Sequence, residues 1–278
     1  SYSYRDMPIR FFEPTMVYRD EKPGQLIGLS RVRAISQDDG HIFCRVSQIE
    51  QEVKTMVDVI LEFYKVLGMD KGYWVSLSVR DDDDTKYLGE GKVWDIAEKS
   101  LEKVAKKNKL PYKQIEGEAA FYGPKLDFMF SDALGRERQL ATIQLDFNLP
   151  EKFNLNYMNE KGVKEMPVMM HRAIAGSLER FMGILIEHFA GKFPLWLSPV
   201  QVKIVTVTDR SNTFANKLYN MMREHDIRVE VDDRSETIGK KVRDAQLEQA
   251  NYILTIGDDE VKSKSLAVRT RKGDVEHN

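Results

Sequence analysis

Residues 193–199, FPLWLSP, limit what this chain can fold into more than any other stretch. Proline neither continues a helix nor sits in a central strand, and the hydrophobic pattern changes across the pair found here. Downstream, short apolar runs alternate with helical repeats. Strands are expected at 202–207, 228–231, 252–256 and 266–270, and helices at 213–223 and 238–249. Such alternation predicts a parallel or mixed sheet with helices on its faces. Upstream, the pattern is one of hairpins and longer helices, so a domain boundary is expected near Leu197. A length of 278 residues accommodates two domains.

The first upstream hairpin is unusual in its charge. Residues 16–19 and 27–35 read as strands flanking a polar turn at Pro23 and Gly24. Side chains alternate faces along a strand, so Arg31 and Arg33 point the same way, followed by Gln37, Asp39 and His41 if the strand continues. Arg19 and Glu21 share a face as the chain enters the turn. Either a solvated edge hairpin or a site for a polyanion and a small polar ligand accounts for this face.

An amphipathic helix follows at 49–67, ended by Gly68, then a strand at 73–79. The run Asp81, Asp82, Asp83, Asp84 reads as a solvated loop, because consecutive carboxylates cannot all converge on one ion. A helix at 93–108 is expected to turn Val93, Ile96, Ala97, Leu101 and Val104 inward, with Lys103, Lys106, Lys107 and Lys109 in solvent. A second hairpin, turning at 132–135, places Lys125, Asp127 and Met129 on one side of its first strand. On its second strand, period-two alternation puts Gln139 with Ala141 and Ile143, opposite Gln144 and Asp146. Buried Gln and Asp need partners, and a ligand is one possibility. Tyr122 precedes the turn at Gly123 and Pro124.

In 167–191 a strand through His171 runs into a helix carrying Leu178, Phe181, Met182, Leu185 and Ile186, with Gly176 and Gly183 on it. Ser177 and Arg180, three apart, share a helix face. Taken singly, Arg180 reads as a surface ion pair with Glu179 or a neighbour, and His171 as a satisfied core histidine.

At 42% hydrophobic and 31% charged residues, the composition is that of a soluble globular protein. No apolar run reaches the roughly 20 residues that span a bilayer, no leader is visible, and Cys44 is the only cysteine. These features point to the cytosol. With a formal net charge of −2, a nucleic acid would have to be held by local basic patches.

The hairpin YRDEKPGQLIGLSRVRAISQDDGHIFC is similar to motif 2 of the class II aminoacyl-tRNA synthetases, and HRAIAGSLERFMGILIEHFAG to their motif 3. QDDGH followed by MHRA resembles the threonyl branch of bacterial type, and AFYGPKLDF, TIQLDFNLPEKF, PLWLSPVQV and DDRSETIGKKVRDAQ extend the likeness nearly end to end. The resemblance implies an α+β chain: an antiparallel-sheet catalytic domain at 1–197, lacking motif 1, and an α/β anticodon-binding domain at 198–278, incomplete at its C-terminus. It implies activation of L-threonine with ATP and transfer to tRNA(Thr), with Zn2+ and Mg2+ as cofactors, in a cytoplasmic homodimer.

By the same resemblance, Arg19 holds the α-phosphate, Glu21 the adenine amine, and Arg31 and Arg180 the remaining phosphates, with Gln139 and Ser177 also at the nucleotide. Arg19, Lys125 and Arg180 are the implied catalytic residues, Lys125 lying by the reacting carboxylate. Gln37, Asp39, Tyr122 and Gln144 line the threonine pocket. His41 and His171 match two zinc ligands, while the third, a cysteine, belongs to a segment upstream of this chain; Cys44 matches a different position. Arg243, Glu260 and Arg269 match anticodon contacts. The chain departs from the family at Ile27, where histidine is usual, at Leu140, where cysteine is, and at Ala175, where a larger aliphatic residue stands. Ser235 and Thr237 replace an asparagine and a lysine. The missing segment and these departures fit a rival reading, a catalytically inactive paralogue that binds RNA or regulates.

Overall fold

The computed structural model describes residues 2–277. In chain order the elements are β1 (Tyr2–Ser3), β2 (Ile9–Tyr18), β3 (Ala34–Cys44), α1 (Ile49–Val66), β4 (Trp74–Val79), α2 (Gly91–Lys107), β5 (Tyr112–Glu116), β6 (Lys125–Ser131) and β7 (Glu137–Asp146). There follow α3 (Asn148–Lys152), β8 (Tyr157–Met158), β9 (Lys164–Glu165), β10 (Val168–Ala173) and α4 (Leu178–Phe189). The remainder comprises β11 (Val202–Thr206), α5 (Asn212–Glu224), β12 (Val229–Asp232), α6 (Ile238–Leu247), β13 (Tyr252–Ile256), α7 (Asp258–Ser263), β14 (Ala267–Thr270) and β15 (Val275–His277). The chain forms two compact units that divide between Ile184 and Leu185, within α4.

The first unit is built on a seven-stranded sheet ordered β2-β3-β10-β7-β6-β4-β5. Neighbours are antiparallel except β4 and β5, which are parallel. Strand alternation divides its residues sharply between two faces. Ile42, Met170, Ile143, Leu145, Leu126 and Leu77 are buried on one face. On the other, register aligns a single transverse row: His41 opposite His171, His171 opposite Gln144, Gln144 opposite Lys125, and Lys125 opposite Ser78. A polar line across five adjacent strands marks that face as the working one. β1, β8 and β9 form a separate small sheet.

α1 buries Ile49, Val53, Met56, Val57, Ile60 and Tyr64 at helical spacing, and Gly68, at φ +67°, ends the run. On α2 the inward face is rotated from the expected one: Trp94 is buried, its indole N–H donating to the Leu88 carbonyl at 2.6 Å, while Ile96 is exposed. The indole brings both a large apolar body and a donor that a burial site can satisfy. On α4, likewise, Phe181, Ile184 and Leu185 are buried, whereas Leu178, Met182 and Ile186 are exposed.

Two hairpin expectations change. The first hairpin is real, but β3 starts at Ala34, and 19–33 is a loop containing two 3-10 turns, at Pro23–Gln25 and Gly28–Ser30. Pro23 supplies no N–H to a ladder and Gly28 stands at φ +44°, so the strand expected at 27–35 is broken by its own start. In the second hairpin, the register shifts between Phe128 and Met129, so that Asp127 faces Thr142 while Met129 faces Gln139. This bulge at Leu140 moves Gln139 off the face of Ala141 and Ile143 and onto that of Thr142 and Gln144. Gly176 belongs to the turn before α4, at φ +70°, rather than to the helix.

The second unit has a five-stranded mixed sheet, β12-β11-β13-β14-β15, parallel among its first three strands and antiparallel beyond. Alternation again sorts the core: Val202, Ile204, Leu254 and Ile256 pack with α5, while Val205 and Ile253 pack with Ala245 of α6. Helices thus cover both faces. α7 and β15 were too short to register as patterns in the sequence.

Candidate active site

The loop between β2 and β3, the end of β7 nearest the bulge, and the turn into α4 enclose a cavity of about 210 Å3. Arg19, Glu21, Arg31, Gln37, Gln139, Ser177 and Arg180 all line it, so residues from three separated stretches of sequence meet there. Ser30 and Thr142 join them, as does Leu140, one of the departing residues. Ile27 is exposed and its backbone bridges to Arg31.

Two of the loop's arginines bond to one residue, Glu21. Arg31 donates from Nε to the Glu21 carboxylate at 3.0 Å, and Arg33 from Nε to the Glu21 carbonyl at 2.9 Å. Arg180 does not pair with Glu179. Its Nε donates to the Ser30 carbonyl at 3.0 Å, which points the guanidinium into the loop. Burial, and then the positive charges of Arg138, Arg19 and Arg31, draw Arg180 below the usual range of a guanidinium. Like charges crowd together here, which is the electrostatic condition for holding a polyanion.

Two carboxylates fasten the turn before α4 to β3. Asp38 accepts from the backbone N–H groups of Ile174 (2.8 Å), Ala175 (3.2 Å) and Gly176 (2.8 Å). Glu179 returns the contact to the Ser36 N–H and also accepts from the Ser177 hydroxyl at 3.1 Å. Between them Gln37 and Ser177 bridge directly. A Cβ on Gly176 would lie 2.8 Å from the Leu140 carbonyl, so the turn also requires glycine for its close approach to β7.

Further along the same face, the His41 and His171 rings meet edge to face with centroids 4.9 Å apart. Burial holds the His41 imidazole below its usual range, against the pull of Asp39, whose carboxylate lies 3.5 Å from Nε2. Neutral imidazole offers a lone pair, as a metal ligand must. Asp146 sits 2.8 Å from Nε2 of His171 and accepts from the N–H groups of Asn148 and Leu149 at 2.8 and 3.0 Å. Burial would raise the Asp146 carboxyl, but the bonds from His171 and these amides outweigh it and hold it low. A carboxylate bonded to one ring nitrogen and leaving the other free is a usual support for a metal-binding histidine. Among the described residues, however, no group of three or more His, Cys, Asp or Glu is placed to hold a metal. Cys44 is fully buried, and burial pushes its thiol up to about 12, so it supplies no ready thiolate.

Tyr122 and Gln144 lie beside this pair: the Tyr122 hydroxyl donates to Gln144 Oε1 at 3.2 Å, and its ring centroid is 6.4 Å from that of His171. Lys125 reaches Asp127 at 2.7 Å. The sequence singled out Lys125 but gave no role to Thr142 or Asp38; it read Glu179 only as an ion-pair partner of Arg180 and placed Asp127 on a strand face without naming its partner. The doublet at 38 and 39 and the buried parity of Asp127 were visible signals, although neither named a partner.

In the second unit the expected anticodon residues are dispersed over three elements. Arg243 lies on α6; Glu260, on α7, accepts from the Gly257 N–H at 2.9 Å; Arg269, on β14, donates to the Gly273 carbonyl at 3.2 Å. Thr237 has a structural duty, capping α6 by accepting from the Lys240 N–H.

Residues 2–189 match the tRNA synthetase class II core domain (G, H, P, S and T), and residues 201–278 match an anticodon binding domain. The chain is 50% identical over 275 residues to the threonine–tRNA ligase of Finegoldia magna and 47% identical over 270 residues to that of Thermus thermophilus. Those alignments cover 99% and 97% of this chain, but only 43% and 41% of the relatives, so the chain spans about two fifths of their length. A solved structure described as the RNA binding domain of threonyl-tRNA synthetase from Cryptosporidium parvum superimposes with a TM-score of 0.89 at 39% identity, covering 99% of this chain and 68% of that one. A putative threonyl-tRNA synthetase from Aeropyrum pernix gives 0.78 at 29% identity, covering 98% and 64%. With both regions matched in this order and relatives of one kind along nearly its whole length, the chain belongs to the class II tRNA synthetases, in their threonyl-tRNA synthetase branch.

Proposed function

We propose that the protein to which this chain belongs is a threonine–tRNA ligase, which activates L-threonine with ATP to threonyl-adenylate, releasing pyrophosphate, and transfers the threonyl group to tRNA(Thr), releasing AMP. The observation that carries the reading is the convergence of Arg19, Arg31 and Arg180 on one cavity, with Arg180 depressed by burial and by its cationic neighbours. Triphosphate is the anion that such a cluster suits. Arg19 holds the α-phosphate, Arg31 and Arg180 the leaving pyrophosphate, Glu21 the adenine amine, and Gln139 and Ser177 complete the nucleotide contacts. Charge that builds on the phosphates in the transition state meets guanidiniums already in place, and Mg2+ shares that neutralisation when bound.

Threonine lies along the row from Lys125 to His41. Lys125 meets its carboxylate, and Gln37, Asp39, Tyr122 and Gln144 surround the rest. His41 and His171 supply two ligands of a zinc site, which their adjacency and the Asp146 support fit. Zinc held by them would coordinate the amine and hydroxyl of threonine, a discrimination that valine, lacking the hydroxyl, would fail. The catalytic domain extends to about Leu197 and the anticodon-binding domain follows, with Arg243, Glu260 and Arg269 as its RNA contacts. The enzyme works as a cytoplasmic homodimer; no described helix is long and apolar enough to cross a membrane.

Threonine-dependent ATP–pyrophosphate exchange by the intact parent protein, with zinc measured in the same preparation, tests this. Exchange that requires threonine and is lost with the metal is expected; absence of exchange in zinc-loaded protein overturns the reading.

A further inference from the structure

A single buried carboxylate lies beneath the place where the two halves of the site adjoin. Asp127 Oδ1 accepts from Gln139 Nε2 at 2.8 Å and from the Thr142 hydroxyl at 2.6 Å, while Oδ2 lies 2.7 Å from Lys125 Nζ. Gln139 and Thr142 line the arginine cavity, and Lys125 stands in the row that leads to the histidines. Regular alternation could not place Gln139 and Thr142 on one face, because they are three residues apart. The bulge at Leu140 does so, and both then meet the same oxygen. Buried charge is costly unless paired and hydrogen-bonded; this carboxylate has a partner on each oxygen, and each partner reaches toward the site.

We infer that Asp127 is the positioning residue that sets the spacing between Lys125 and Gln139, and so registers the amino-acid carboxylate against the nucleotide. The inference rests on the roles proposed above for those two residues. Asp127 touches neither reactant. Its fixed oxygens hold the ammonium on one side and the carboxamide on the other, so that the attacking carboxylate and the α-phosphate meet at a distance set by the protein. Loss of the charge frees the Lys125 ammonium to swing along its flexible stem, and orientation is the quantity that suffers.

Asp127→Asn keeps the shape of the side chain and an acceptor for Gln139 and Thr142, while removing the charge that faces Lys125. In the intact parent protein, it is expected to lower kcat for threonine-dependent exchange by roughly tenfold or more, with an unchanged melting temperature. Combined with Lys125→Gln, it is expected to add no further loss, because both act through one ammonium. Thr142→Val, which removes one of the two donors to Oδ1, is expected to raise KM for ATP a few-fold without changing the fold, and serves as the second probe should Asp127→Asn fail to fold. An active parent in which Asp127→Asn matches wild type, in which the Lys125 and Asp127 losses multiply, or in which Thr142→Val leaves KM for ATP untouched overturns this inference alone. A zinc-loaded parent without threonine-dependent exchange overturns the functional reading, and this inference with it.

Discussion

The backbone N–H of Ser36 is held by both oxygens of the Glu179 carboxylate, at 2.9 and 3.0 Å. An acid in the first turn of α4 thereby closes onto a strand 143 positions earlier in the chain. Burial acts to raise Glu179, yet the Ser36 N–H and the Ser177 hydroxyl outweigh it and hold the carboxyl below its ordinary range. Removing such a bond leaves a partly buried amide unpaired. Glu179→Ala is expected to destabilise the first unit by about 1–3 kcal/mol, read by urea denaturation, and to raise KM for ATP because Ser177 loses its acceptor. Unchanged stability and unchanged KM together would refute the latch.

Arg180 gives the most direct test of the cavity. Its guanidinium donates to the Ser30 carbonyl and still faces the site with other N–H groups, which a lysine cannot do from one nitrogen. Arg180→Lys is expected to reduce the exchange rate roughly ten- to a hundredfold, the worth of one or two charge-assisted hydrogen bonds. Exchange kinetics at saturating threonine measure it, and wild-type behaviour would remove Arg180 from the phosphate site.

Gly123 admits no side chain. A Cβ built there would lie 1.8 Å from the Leu145 carbonyl oxygen, a backbone atom that cannot rotate aside. The turn is fixed to β7 on both sides, by the Leu145 N–H to the Pro124 carbonyl and the Phe147 N–H to the Tyr122 carbonyl, each 3.0 Å. Gly123→Ala is expected to cost roughly 3 kcal/mol or more by forcing these strands apart, and to displace Tyr122 from Gln144. A melting temperature equal to wild type would contradict it.

Acid sensitivity should have a component at the second hairpin. Burial would raise Asp132, but the N–H groups of Arg136 and Leu134 and the guanidiniums of Arg136 and Arg138 lower it to about 2. Because the folded value lies below the ordinary one near 3.8, the stabilisation is complete above pH 3.8 and is lost as pH falls toward about 2. Asp132→Asn should therefore flatten the fall in stability across that window while lowering stability at neutral pH. Parallel acid-melting curves for the two proteins would disprove it.

The sequence disclosed the order of β11, α5, β12, α6, β13 and β14 in the second unit and a sheet that was parallel or mixed, because repeats of 2 and 3.6 residues are written in the positions of Val202, Ile204, Leu254 and their helices. The cavity was legible through Arg19, Arg31, Gln139 and Arg180, chiefly by resemblance to known motifs. What resisted reading was anything that broke a period. The bulge at Leu140 reverses the facing of Gln139, and Trp94 overrides the apolar stripe expected on α2. Partnership was hidden too. Asp38 and Asp39 are neighbours in sequence, yet strand alternation sends one to the turn before α4 and the other toward His41; no local pattern says which acid goes where.

The three amides that Asp38 occupies, at Ile174, Ala175 and Gly176, lead directly into α4. In many nucleotide-binding folds it is such amides, at the mouth of a helix, that cradle phosphate. Here they are already taken by the protein's own anion, so under the proposed function recognition of phosphate would fall to long side chains. Nucleotide affinity in this architecture should accordingly fall steeply with added salt, and every arginine at the cavity becomes a point at which a single codon change can retune it.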